Sequence, residues 1–88
     1  MRIEIDPTGH GVFMDDAGND MGTRDGILAI MSALGMETAR ELGEVGGWSK
    51  RTVQHWLGGR RPSDAAMNVF MRELAKRSLI VETAPKRQ

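Results

Sequence analysis

Apolar and polar positions change period along the chain. In residues 1–20, Ile3 and Ile5 alternate with polar neighbours, and Val12 and Phe13 follow after Pro7, Gly9 and Gly11, with Gly18 beyond. Short alternating runs broken by Pro and Gly predict a β-hairpin, because successive strand side chains face opposite sides. The spacing then becomes helical. Ile27, Ile30, Met31 and Leu34 recur at three- and four-residue steps, which predicts a first helix over 24–34, with Thr23 to cap it and Gly35 to stop it.

Three more helices follow from their end signals. Thr38-Ala39-Arg40-Glu41 is a capping box, in which Thr and Glu each satisfy an orphan amide at the other's end of the turn. It opens a second helix over about 38–46, which Gly46 and Gly47 must end. Ser49 caps a third helix over about 49–57, bounded by Gly58 and Gly59. Ser63 and Asp64 open a fourth, in which Ala66, Val69, Phe70 and Leu74 form a stripe reaching about Arg77. The apolar patch 79–81 reads as a strand or a helix end. The expected fold is mainly α, a compact bundle of four to five helices with a helix-turn-helix, preceded by the hairpin. Residues 1–20 form an acidic hairpin or arm, 21–82 the helical domain and 83–88 a basic tail. No internal repeat is evident.

Composition bounds this picture without changing it. A length of 88 residues with 40% hydrophobic residues suits one globular domain. So short a chain hides only about 60–65% of its unfolded surface, which makes a partner subunit a reasonable expectation. With no Cys there is no disulfide framework and no thiolate metal site or nucleophile, as expected of a cytoplasmic protein. Neither a signal peptide nor a membrane span is expected, since no apolar run approaches the required length.

Charge does change it. The net charge is zero, but residues 1–47 hold three bases against nine acids, and residues 48–88 hold nine bases against three acids. The halves are therefore six negative and six positive, and no acid occurs between Val45 and Ser63. That asymmetry suggests a cationic face for a polyanion. On a helical wheel of about 100° per residue, Lys50, Arg51, Gln54 and His55 share one face, and Thr52, Val53, Trp56 and Leu57 lie nearly opposite. The first face has donors and acceptors suited to base edges, Lys or Arg for guanine and Gln for adenine.

Two short helices about a glycine turn, the second bearing the bases, is how helix-turn-helix proteins place a helix in the major groove. The run TARELGEVGGWSKRTVQHWLGGRRP resembles the helix-turn-helix of the phage Cro and repressor class, the XRE type. Gly43, Gly47 and Val53 stand at that class's small residue, turn glycine and β-branched residue, and Leu42, Trp48 and Trp56 match its buried positions. The resemblance spans about 24–77, with small phage and mobile-element autoregulators, including anti-CRISPR-associated repressors, the most similar. Gly46 departs from it by replacing a large apolar residue, and Gly43 by replacing Ala. Trp48 is expected to fill the space beside Gly46.

The resemblance implies base contacts from Lys50, Arg51 and His55, with Gln54 beside them. Arg60 and Arg61 are placed for phosphates, as is the second helix's start at Thr38 and Arg40, and Ser49 and Thr52 join this set. It further implies a homodimeric repressor binding double-stranded DNA at an inverted repeat. The expected dimer surface is the fourth helix with the following patch, through Val69, Phe70, Leu74, Leu79 and Ile80, or else the acidic hairpin. Trp48 and Trp56 read as core, and the seven Met as adaptable core or dimer filler.

Catalysis and cofactors are not expected. GEVGGWSK lacks P-loop spacing, His10 and His55 have no partner at metal-ligand spacing, and DDAGND has Ala17 where a calcium loop needs an oxygen. Two rival functions stay open: an antitoxin whose acidic residues 1–20 grip a basic toxin, and a module that holds another protein partner through the same helices.

Overall fold

The computed structural model describes residues 2–77 and 82–83. Strands β1 (Arg2–Ile5) and β2 (Gly11–Met14) pair antiparallel, with Ile3 opposite Phe13. Both of these side chains are buried, so the hairpin's inner face belongs to the same core as the helices. Asp6 shapes the connection: its Oδ1 accepts the amides of Thr8 and His10, both at 2.9 Å, and Gly9 takes a left-handed φ of 82°. The same turn recurs nine residues later. Asp15 Oδ1 accepts the amides of Ala17 and Asn19 at 2.9 Å, and Gly18 has φ 84°. A D-x-x-G unit is thus repeated, too short to register as a sequence repeat but used twice as an Asx turn.

Four helices follow: α1 (Thr23–Ala33), α2 (Ala39–Gly46), α3 (Lys50–Leu57) and α4 (Asp64–Lys76). Thr23 does not cap α1. Gly22 takes the cap position without a side-chain bond, its own amide is held by Asp20 at 2.8 Å, and Thr23 is buried as the first helical residue. Gly26, inside α1, lies where a β-carbon would run into the Phe13 ring. That close approach of helix to sheet outweighs the roughly 0.5–1 kcal/mol that glycine costs inside a helix. The helix stops as expected: Gly35 is left-handed, and the Met36 amide returns to the Met31 carbonyl at 2.8 Å.

A third strand, β3 (Glu82–Thr83), runs parallel to β1, giving the order β2-β1-β3. Residue 83, assigned above to a basic tail, is therefore part of the sheet, and the hairpin is not a separate arm. The 79–81 patch, with Leu79 and Ile80, lies outside the described residues.

The core is shared by all four helices and the sheet, and α4 contributes Ala66, Met67, Phe70 and Leu74. This removes two residues from the expected dimer surface. Phe70 and Leu74 are 0% and 1% exposed within a single chain, and Val69 is half-buried. The stripe on α4 is apolar because it faces the protein's own interior, so Phe70 and Leu74 are not available to a second subunit. Met31 and Met67 lie in the core and Met21, Met36 and Met71 pack against it, in keeping with adaptable filler.

Candidate nucleic-acid interface

The α2 and α3 helices are joined by a tight turn at residues 47–49. Gly47 is left-handed with φ 72°, and the Trp48 amide returns to the Gly43 carbonyl at 2.8 Å. The returning chain passes so close that a β-carbon on Gly43 would meet the Trp48 carbonyl oxygen. Position 43 therefore has no room for a side chain. Trp48 lies over Gly46, as expected, and forms a three-ring cluster with Trp56 and Phe70, at centroid distances of 4.9 and 5.1 Å; Trp56 and Phe70 are 5.6 Å apart. Such tilted and edge-to-face pairs add about 0.5–1.5 kcal/mol each beyond area burial. Together with Val53, fully buried, they fix the inner face of α3.

The opposite face is open. Lys50, Arg51, Gln54 and His55 are all exposed. Among the described residues none of the four side chains is held by a hydrogen bond or ion pair. Ser49 caps the helix, its Oγ accepting the Thr52 amide at 3.1 Å. At the far end Gly59, with φ 108°, lets the Gly59 and Arg60 amides return to the Trp56 and His55 carbonyls. The first turn of α3 contains no acid.

The expected phosphate contacts divide. Arg60 is exposed and, among the described residues, unpaired, whereas Arg61 donates to Asp6 at 2.9 Å and reaches Asp20 at 3.5 Å. Thr52 is half-buried, with its hydroxyl 3.0 Å from that of Ser49. Arg40 pairs loosely with Glu44 at 3.6 Å, both well exposed. At the start of α2 the amides of Glu37 and Thr38 are already taken by the Glu41 carboxylate at 3.1 Å, and the Thr38 hydroxyl completes the capping box. Bonds from the Glu37 amide and the Thr38 hydroxyl hold the Glu41 carboxyl below its ordinary range. The Thr38 amide, one of those expected to be free for a phosphate, is thus already bonded to a carboxylate.

Pairing therefore concentrates the free positive charge. On α4, Lys76 and Arg77 both pair with Glu73. Of the bases between Trp48 and Arg77, those without an ion-pair partner among the described residues are Lys50, Arg51, Arg60 and Arg72, and three of these lie on α3 or shortly after it. Arg24 is a contributor the sequence reading missed. From α1 it donates to the Leu57 carbonyl at 3.3 Å, a cation at the negative end of the α3 dipole. Nothing local announces a contact with a residue 33 positions away.

The acidic segment is engaged within the chain: Glu4 with Arg2, Asp6 and Asp20 with Arg61, Asp15 with its own turn. At the Asp6 turn, Thr8 donates to Asp6 at 2.6 Å and lies 2.8 Å from His10 Nδ1. Among the described residues no group of three or more His, Asp or Glu is placed to hold a metal ion, and no helix is long and apolar enough to cross a membrane. A shallow hollow beside Leu28, which is 41% exposed, is lined also by Met31, Ser32, Gly35, Met36 and Glu37. No protein-family model, curated protein or solved structure matches the chain.

Proposed function

We propose that the protein is a sequence-specific, DNA-binding transcriptional repressor of the XRE helix-turn-helix kind, acting in the cytoplasm. The observation that carries this reading is the outer face of α3, where Lys50, Arg51, Gln54 and His55 stand exposed, without acidic partners among the described residues, on a helix whose inner face is fixed by Val53 and Trp56. A rigid helix with a cationic, hydrogen-bonding face suits the major groove, where guanine offers acceptors to Arg or Lys and adenine pairs with Gln. Arg60 at the end of the helix suits a flanking phosphate.

An eight-residue α3 is only about 12 Å long at 1.5 Å per residue and reads few base pairs. Two copies on an inverted repeat, with half-sites about one helical turn apart, would supply the missing specificity. Occlusion of the promoter of its own operon is the simplest mode of repression, as in phage and mobile-element autoregulators. The antitoxin alternative relied on free acids in residues 1–20, and the intramolecular partners of Glu4, Asp6, Asp15 and Asp20 weaken it.

The test is binding of the purified protein to its own upstream DNA and to a scrambled duplex, over a salt series, beside Arg51→Ala. Tight, salt-sensitive preference for the upstream duplex, lost in Arg51→Ala, is the expected result, and the log-log slope counts the phosphates neutralised. Equal, weak affinity for both duplexes at moderate salt would overturn the reading.

A further inference from the structure

Two adjacent arginines follow α3, and the structure separates their roles. Arg60 is exposed and has no bonded partner among the described residues. Arg61 spreads its guanidinium across two carboxylates, Asp6 Oδ2 at 2.9 Å and Asp20 Oδ2 at 3.5 Å, the first opening one turn of the N-terminal segment and the second following the other. Asp6 is well fixed for this task. Its side chain is only 13% exposed, and its Oδ1 is held by the Thr8 hydroxyl and by the Thr8 and His10 amides. The backbone is tied at the same place: the Gly11 amide donates to the Pro62 carbonyl at 2.7 Å, and the Asp64 amide to the Gly9 carbonyl at 3.1 Å. Pro62 itself is fully buried. The loop between α3 and α4 is therefore seated on the hairpin by two backbone bonds and one forked ion pair.

We propose that Arg61 is a positioning residue: with Asp6 and Asp20 it clasps the α3–α4 loop to the hairpin and so sets Arg60 and the end of α3 against the nucleic acid, without itself contacting phosphate. This rests on the DNA-binding reading above. It gives the acidic N-terminal segment a function inside the DNA-binding unit. The same segment also keeps a polyanion from drawing on Arg61, since any phosphate there would have to displace two carboxylates already paired with it.

The experiment compares wild type, Arg60→Ala, Arg61→Ala, Arg61→Lys and the double variant Asp6→Asn/Asp20→Asn. Affinity for the upstream duplex is measured over a salt series well below the melting temperature, together with amide hydrogen exchange in the free protein. Removing a phosphate contact lowers the log-log salt slope by about 0.9. Arg60→Ala should show that loss. Arg61→Ala should keep the wild-type slope while affinity falls by about three- to tenfold, a weakening of about 1 kcal/mol, and exchange at the Gly11 and Asp64 amides should quicken. The Asp6→Asn/Asp20→Asn protein should show the same quickened exchange, and adding Arg61→Ala to it should quicken exchange little further. Lys at 61 keeps the charge but loses the fork, so it should restore affinity only in part. A slope lowered in Arg61→Ala as in Arg60→Ala, or full rescue by Arg61→Lys, would overturn the positioning role. Wild-type protein that binds no duplex would overturn the DNA reading, and the exchange arm would still decide the clasp: unchanged protection of Gly11 and Asp64 in Arg61→Ala would refute it.

Discussion

Trp48 lies across Gly46, its indole occupying the space that a β-carbon at position 46 would fill. The two residues compensate one another. The second helix has no side chain at this position, the turn supplies one from outside, and the ring reaches the core through Trp56 and Phe70.

The pair predicts an unusual response to helix-favouring substitution. Alanine in place of an exposed helical glycine ordinarily stabilises by about 1 kcal/mol. Gly46→Ala should instead destabilise, because the ring is held from two sides and overpacking costs about 1–3 kcal/mol. Trp48→Val should lose about 2 kcal/mol, the half-buried ring leaving a partly collapsible gap. Urea unfolding of both variants checks this. A more stable Gly46→Ala would mean that the indole swings aside freely.

The helix ends were legible because their signals are local. Thr38 with Glu41, Ser49 before Lys50, Ser63 before Asp64, and Gly47 and Gly59 after their helices act through amides within a few residues, so reading the sequence finds them. Thr23 misled because Gly22 had already begun the helix. Relationships over distance were hidden. The pairing of Arg61 with Asp6 spans 55 residues, and nothing in the loop sequence RRP says which arginine stays free. The stripe on α4 showed which face is apolar and could not show whether that face meets its own core or another chain. The outward face of α3 was readable since the helical period and the phase of Val53 and Trp56 fix it.

Phe70 provides a direct check on that last distinction. With its side chain fully buried between Trp48 and Trp56, Phe70→Asp would place a charge in the core at a cost of several kcal/mol. That is comparable with the roughly 5 kcal/mol total stability of a small domain. The variant should be unfolded by circular dichroism at 25 °C, whereas Phe70→Leu should fold. A well-folded Phe70→Asp monomer would return α4 to consideration as a subunit interface.

The capping of α3 links stability to recognition. Ser49→Ala removes the bond to the Thr52 amide and should cost about 1 kcal/mol. Because the first turn carries Lys50 and Arg51, fraying there should weaken binding to the upstream duplex as well. Ser63→Ala, which uncaps α4 away from those residues, should cost similar stability with less effect on affinity. Equal losses of affinity in the two variants, measured by fluorescence anisotropy, would show that the effect is global.

Base readout and phosphate contact should separate on the outer surface of the protein. Arg51→Ala should cost about 1–3 kcal/mol against the preferred duplex and relax preference at one base pair, while Arg60→Ala should weaken all duplexes alike. A competition assay with single base-pair replacements across one half-site distinguishes them. If Arg51→Ala weakened every duplex equally, α3 would not be reading bases through that side chain.

Acid should loosen the start of α2 through Glu41. Its carboxylate is held below the ordinary value of 4.5 by the Glu37 amide and the Thr38 hydroxyl, so folding favours the ionised form. A group depressed in the folded state contributes stability that is complete above its unfolded value and is lost as pH falls through the folded one. Glu73, lowered chiefly by its bond from Lys76, acts in the same sense. Thermal melts from pH 7 to pH 3 should therefore show wild type losing more stability below 4.5 than Glu41→Gln does. Glutamine can still accept the capping bonds but does not titrate, so its acid limb should be shallower and the two curves should converge as the pH falls. Curves that ran parallel throughout would mean that Glu41 has the same affinity for a proton folded and unfolded, and that its bonds across the α2 terminus are not maintained in solution.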